Sequence, residues 1–135
     1  MKTIALDLGD RWVGIAISDP LGIIARPHET VETKKLILVL RTLFDDEQID
    51  SIVVGYPKTM RGTESAQTKK ILAQKDELKR EFPNKQWILW DERLTSQEAE
   101  RLALQSPVKD KKLVHSRAAA IILTAYLVSL ALEQD

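Results

Sequence analysis

Ile4-Ala5-Leu6-Asp7-Leu8-Gly9 leads through Asp10-Arg11 into Trp12-Val13-Gly14-Ile15-Ala16-Ile17-Ser18-Asp19. Two apolar runs on either side of a short polar turn read as a pair of antiparallel strands. One acidic side chain, Asp7, stands at the end of the first. An unpaired carboxylate among Ile, Ala and Leu is costly unless it meets a cation or a partner, so Asp7 looks placed for a task. The alternative is that it caps the turn behind it, as Asp often does.

Ile23 to Val31 continues the pattern as a third strand, and Pro27 within it suits an edge. Leu36, Ile37, Val39, Leu40, Leu43 and Phe44 then repeat at helical spacing opposite a polar face. Ser51-Ile52-Val53-Val54 is a continuous apolar run ending at Gly55, the signature of a strand buried on both faces. A loop from Tyr56 to Gly62 follows. Glu64 to Glu81 reads as a mostly polar helix whose thin apolar side is Ile71, Leu72, Leu78 and Phe82.

Trp87-Ile88-Leu89-Trp90 forms a fifth strand that ends in Asp91-Glu92-Arg93. Thr95 and Glu98 have capping-box spacing for a helix over Ser96 to Gln105, which Pro107 stops. A last helix, Ser116 to Glu133, is apolar on most sides and must pack on the sheet. Three strands, helix, strand, helix, strand, helix, helix is an α/β order with right-handed crossovers. It predicts a five-stranded mixed sheet with helices on both faces, the ribonuclease H-like layout.

Composition narrows the field of functions. The chain has 135 residues, of which 44% are apolar and 30% charged, and no repeat or linker divides it, so it reads as a single domain over 1–135. With no cysteine there is no disulfide, thiol nucleophile or cysteine-based zinc site, which is compatible with a reducing cytosol. The opening apolar run is interrupted by Asp7 and does not read as a signal peptide. Ala118 to Leu132, with Thr124, Tyr126 and Ser129 as its polar members, falls short of the roughly 20 residues a membrane span needs. Twenty basic residues balance twenty acidic ones, so contact with nucleic acid must rest on local patches. Lys58, Arg61, Lys109, Lys111, Lys112 and Arg117 lie in or beside predicted loops.

In such a sheet the first and fourth strands are neighbours with the fifth beyond. Asp7 and the end of the fifth strand then approach each other across Gly55, which has no side chain to intervene. Asp91 and Glu92 point to opposite faces, so one of them meets Asp7; Glu92 is the preferred candidate, with Asp91 next. Converging carboxylates repel each other, and the usual remedy is a hard divalent ion such as Mg²⁺ or Mn²⁺. Two such ions can activate water and stabilise the leaving oxygen of a phosphodiester. Alternatively, Asp91-Glu92-Arg93 is a solvated loop with an internal ion pair.

Four blocks in register resemble the YqgF/RuvX family, relatives of the RuvC Holliday-junction resolvases in the ribonuclease H-like superfamily. They are Asp7-Leu8-Gly9 with Arg11, Gly14 and Asp19; Val53-Val54-Gly55-Tyr56-Pro57 with Gly62; Asp91-Glu92-Arg93-Leu94-Thr95; and Ala118-Ala119 with Ile122-Leu123 and Tyr126-Leu127. The resemblance implies a cytoplasmic, divalent-metal nuclease that matures the 5′ end of pre-16S ribosomal RNA, with junction resolution as the other proposed activity. It also implies that Asp7 is the first-strand metal carboxylate and that Asp91-Glu92 is the fifth-strand acidic motif. Arg11 and Arg93 match basic members of these motifs and take scissile-phosphate or carboxylate-orienting roles, since Arg grips either bidentately, or else form structural ion pairs.

One position departs from the family pattern. Where an Asp is usual before the Ala-Ala pair, the chain reads Val114-His115-Ser116-Arg117-Ala118-Ala119, which puts His115 in the place of the third carboxylate. An imidazole can ligate a metal and suits Mn²⁺ or Zn²⁺ better than Mg²⁺. The expected metal ligands are therefore Asp7, Glu92 and His115. Three outcomes follow: an altered metal preference, a one-metal site, or a domain that binds RNA without cutting it. Lys58, Arg61, Lys109, Lys111 and Lys112 would rim the acidic centre and, with Arg11, Arg93 and Arg117, supply phosphate contacts. Tyr56 could stack on a base or close the end of its strand, and His28 has no comparable context. The Asp-Leu-Gly opening is also similar to the phosphate loop of sugar kinases and actin, which need more than twice this length. The expected partner is nucleic acid, pre-rRNA before branched DNA, with no membrane role and a monomer or weak homodimer as the working state.

Overall fold

The structure, a computed structural model, describes residues 1–57, 65–94 and 114–133, with Arg93 described in its backbone alone. The elements run β1 (Lys2–Asp7), β2 (Trp12–Ser18), β3 (Ala25–Glu32), a 3₁₀ turn (Thr33–Lys35), α1 (Leu36–Asp46), β4 (Ile49–Tyr56), α2 (Ala66–Glu81), β5 (Gln86–Asp91), a second 3₁₀ turn (Glu92–Leu94) and α3 (Val114–Glu133). The helix expected over 96–105 lies outside the described residues, with its capping pair Thr95 and Glu98. The sheet order is β3-β2-β1-β4-β5. The first three strands pair antiparallel, and β4 runs parallel to both β1 and β5. This is the expected mixed sheet.

Element ends shift for local reasons. The third strand begins at Ala25, not Ile23, because Asp19 claims the backbone before it: the N–H groups of Ile23 and Ile24 donate to Asp19 Oδ1 at 2.7 and 2.8 Å. Those hydrogen bonds hold the Asp19 carboxyl below its ordinary pKa. Gly22 takes a left-handed φ of 70° in the same turn. Ser65 caps α2 by accepting the Thr68 N–H at 3.1 Å, so the helix starts two residues after Glu64.

Alternation along the strands gives the sheet two different faces. Ile4 and Leu6 of β1, Val13 and Ile15 of β2, and Ile52 and Val54 of β4 pack with Leu36, Leu40 and Leu43 of α1 and Ile71 and Leu78 of α2. The opposite face is built for close approach. There Ala5, Ala16 and Val53 meet Ala119, Ala120, Ile122, Leu123 and Leu127 of α3, and small side chains on both sides bring the helix axis down onto the strands. By length and apolarity α3 is long enough to cross a membrane, beyond the fifteen-residue run read from sequence. Its packing over β1, β2 and β3 accounts for that apolarity.

Candidate active site

One row of residues crosses the α3 face at the carboxyl end of β1. Thr30 of β3 pairs with Gly14 of β2, and Gly14 pairs with Asp7. On the other side Leu6 pairs with Val54, so Asp7 comes beside Gly55, which pairs with Trp90 of β5. Asp7 thus sits between two glycines, and each gap is filled. A Cβ on Gly14 would collide with the His115 carbonyl oxygen and lie 2.7 Å from the Ser116 nitrogen; the backbone of the first turn of α3 rests directly on β2. A Cβ on Gly55 would collide with Ile122 Cδ1 and lie 3.2 Å from Glu92 Oε1. Ile122 therefore fills the space that Gly55 leaves, and the Glu92 carboxylate borders it.

Strand pleat decides between the two acidic neighbours. Asp91 pairs with Tyr56, whose ring joins the α1 and α2 core, so Asp91 leaves the strand on the far face. Glu92, in the 3₁₀ turn that follows, returns to the face of Asp7. With Ala118, Ile121 and Ile122, the two carboxylates Asp7 and Glu92 line a cleft of about 290 Å³.

The electrostatics follow from that position. Burial pushes the Asp7 carboxyl above its ordinary pKa, with the charge of His115 pulling it back. Glu92 is raised by burial first, then by the negative charges of Asp7 and Asp91. Among the described residues, the buried side-chain polar atoms lacking a hydrogen-bond partner are Thr30 Oγ1 and Trp90 Nε1. Both belong to the row that contains Asp7. Buried polar atoms are nearly always paired; these two lie on the edge strands β3 and β5, each two strands from Asp7.

This donor set fits a hard divalent cation. Mg²⁺ is commonly held by one or two carboxylates together with water and substrate phosphate, and a cation between Asp7 and Glu92 would offset the burial of both and the repulsion that raises Glu92. His115, exposed in the first turn of α3, stands within electrostatic reach of Asp7. No group of three His, Asp or Glu side chains among the described residues is close enough to form a ligand cage as it stands.

The expected basic residues are distributed unevenly. Arg117 is half-buried in the first turn of α3. Arg11 is exposed in the β1–β2 turn, its guanidinium 5.5 Å from the centroid of the Trp12 ring. Lys58, Arg61, Lys109, Lys111, Lys112 and the side chain of Arg93 lie outside the described residues. Tyr56 closes its strand against the core, which favours that reading over stacking. His28 borders a separate cleft of about 450 Å³ between β3 and α1, away from Asp7.

Two supports had no counterpart in the sequence reading. Thr33 Oγ1 and Gln74 Nε2 both donate to the Gly9 carbonyl, at 2.9 and 3.2 Å, and the Thr33 N–H donates to the Arg11 carbonyl at 2.9 Å. They fix the turn that carries Arg11 and Trp12. No local signal marks Gln74, which lies 65 residues from its partner. Gly14 did carry a signal, because a glycine inside a strand often marks close backbone approach.

A mixed sheet in this order, with a first-strand carboxylate meeting an acidic residue after the fifth strand, defines a protein of ribonuclease H-like fold. The RuvX family, described as "Holliday junction resolvase", matches residues 1–129, and the chain belongs to that family. A protein of Clostridium tetani named "Putative pre-16S rRNA nuclease" is 40% identical over 96% of this chain and 97% of its own length. A protein of the same name from Rubrobacter xylanophilus is 36% identical over 93% and 91%. Among solved structures, Thermus thermophilus RuvC superposes with a TM-score of 0.67 at 12% identity, over 98% of this chain and 97% of that one. The Holliday junction resolvase of fowlpox virus gives 0.57 at 17% identity, over 96% and 99%. These two likenesses concern the fold.

Proposed function

We propose that this chain is a divalent-metal-dependent nuclease that hydrolyses phosphodiester bonds during 5′-end maturation of pre-16S ribosomal RNA in the cytoplasm. The observation that carries the chemistry is the convergence of Asp7 and Glu92 over Gly55, both raised in pKa. The relatives' names, with identity over nearly the whole length, support the substrate.

In this reading Asp7 and Glu92 hold the ion, His115 approaches as a third donor from α3, and Asp91 adds negative charge from the opposite face. When bound, Mg²⁺ or Mn²⁺ supplies an activated water and charge stabilisation for phosphodiester hydrolysis. Ile121, Ile122 and Ala118 wall one side of the cleft and lower the local dielectric, which strengthens each charge interaction inside it. Arg11 and Arg117 orient phosphate from its two sides, and Lys58, Arg61, Arg93, Lys109, Lys111 and Lys112 extend that contact along the backbone.

The test is cleavage of a labelled pre-16S 5′-leader RNA beside a four-way DNA junction, in Mg²⁺ and in Mn²⁺, by wild type, Asp7→Asn and His115→Asp. Wild type is expected to cut the RNA, faster in Mn²⁺. Asp7→Asn should be reduced by at least about a hundredfold, and His115→Asp should gain in Mg²⁺. Cutting of the junction in preference to the RNA would move the substrate to branched DNA, in line with the family's description. Metal-independent cutting, or full activity of Asp7→Asn, would overturn the proposal.

A further inference from the structure

Trp12 is the first residue of β2 and keeps 37% of its surface exposed. Pleat alternation places it on the side of Gly14 and Asp7, two residues or about 7 Å along the strand from the row that carries Asp7. The first turn of α3 rests on Gly14, and the helix runs from there away from Trp12, so that Leu127 meets Gly22 at the other end of β2. Among the described residues, Trp12 therefore lies beyond the amino end of α3, at the end of the sheet where the carboxylates are.

Its neighbours are arranged for an anionic, aromatic ligand. Two nearby acids are engaged by cations: Asp10 by Lys70 at 3.6 Å, and Glu32, the cross-strand partner of Trp12, by Lys34 at 3.3 Å and Lys35 at 3.9 Å. Arg11 has no carboxylate partner among the described residues, and its guanidinium lies over one face of the Trp12 ring, 5.5 Å from the centroid. The backbone under this pair is held by the bonds from Thr33 and Gln74. A Cβ on Gly9 would lie 2.5 Å from the Trp12 carbonyl oxygen, so the turn closes tightly beneath them. The result is a preorganised pair, a part-exposed indole with a guanidinium over one of its faces, and that guanidinium has no carboxylate partner among the described residues.

We propose that Trp12 stacks an unpaired nucleobase next to the site of cleavage, while Arg11 takes the phosphate of that nucleotide, so that this chain selects single-stranded over fully paired nucleic acid. The proposal rests on the nuclease reading for its position beside the carboxylates. A base inside a duplex has its faces covered by neighbours and cannot lie on the ring. An unpaired base can, and stacking on an aromatic side chain is indifferent to which base it is.

The experiment measures binding of labelled eight-nucleotide single-stranded RNA, and of the same sequence in a hairpin duplex, by fluorescence anisotropy in EDTA, for wild type, Trp12→Ala, Trp12→Leu and Trp12→Phe. Trp12→Leu keeps apolar cover on β2 without a π face, and serves if the alanine variant does not fold. The expected result is a loss of about tenfold in single-strand affinity for Trp12→Ala or Trp12→Leu, near-recovery in Trp12→Phe, and no change for the duplex. Equal single-strand affinity in wild type and Trp12→Leu, or equal losses on single strand and duplex, would overturn it. Cleavage in Mn²⁺ separates the two readings. Trp12-dependent binding without any cutting would sink the nuclease and leave the stacking, whereas cutting by a Trp12→Leu protein with unaltered binding would do the reverse.

Discussion

Asp7 is the residue on which stability and chemistry pull in opposite directions. Its carboxyl is raised by burial, and that of Glu92 by burial and by Asp7. A carboxyl whose folded pKa lies above its unfolded value lowers stability at neutral pH, and the penalty fades as pH falls through the raised values into the ordinary carboxylate range. Replacing Asp7 by Asn removes part of that penalty. In EDTA at neutral pH, Asp7→Asn is expected to be more stable than wild type by about 1 kcal/mol, which shifts the melting temperature upward by roughly 4 °C. Mg²⁺ should raise the melting temperature of wild type and leave Asp7→Asn unmoved. A lower melting temperature for Asp7→Asn in EDTA would mean that the carboxylate serves the fold, as a turn cap does.

At the scale of elements, the two glycines beside Asp7 separate packing from positioning. A Cβ at Gly14 meets the backbone of α3 at His115 and Ser116, which can move only if the whole helix lifts. Gly14→Ala is expected to destabilise the protein by about 3 kcal/mol, at the upper end of overpacking costs. A Cβ at Gly55 meets the ends of two side chains, Ile122 and Glu92, which can turn aside. Gly55→Ala should lose only about 1 kcal/mol of stability, but it displaces Glu92 and should lower cleavage by more than tenfold. Urea unfolding and single-turnover cleavage of both variants check this contrast. Equal stability losses would show that α3 is not seated on Gly14 as described.

The same elements show where sequence was enough. The first two strands, the buried run ending at Gly55 and the strand before Asp91 were legible because their apolar periods are set by burial on one or both faces. The approach of Glu92 to Asp7 followed from pleat and sheet order. The start of β3 was misplaced because Ile23 and Ile24 look like strand residues, whereas the side chain of Asp19 in the turn just before them takes their N–H groups. The supports at Gly9 were invisible, since Thr33 and Gln74 reach it from elements remote in sequence. In the sequence Trp12 is marked only as the start of the second strand; its pairing with Arg11 and its partial exposure appear in the structure.

For the molecule as a whole, the two sheet faces divide the work. The face under α1 and α2 carries the larger apolar core. The face under α3 is packed with small residues that set the helix close and leave its amino end beside the carboxylates. The central claim is that Asp7, from the first strand, and Glu92, from beyond the fifth, act as one unit by sharing an ion. Single-turnover cleavage by wild type, Asp7→Asn, Glu92→Gln and the double variant, across a Mn²⁺ titration, tests it most directly. Residues that act together are non-additive, so the double variant should be no slower than the worse single one, and both singles should require more Mn²⁺. Losses that multiply in the double variant, with unchanged Mn²⁺ dependence in either single, would contradict the account.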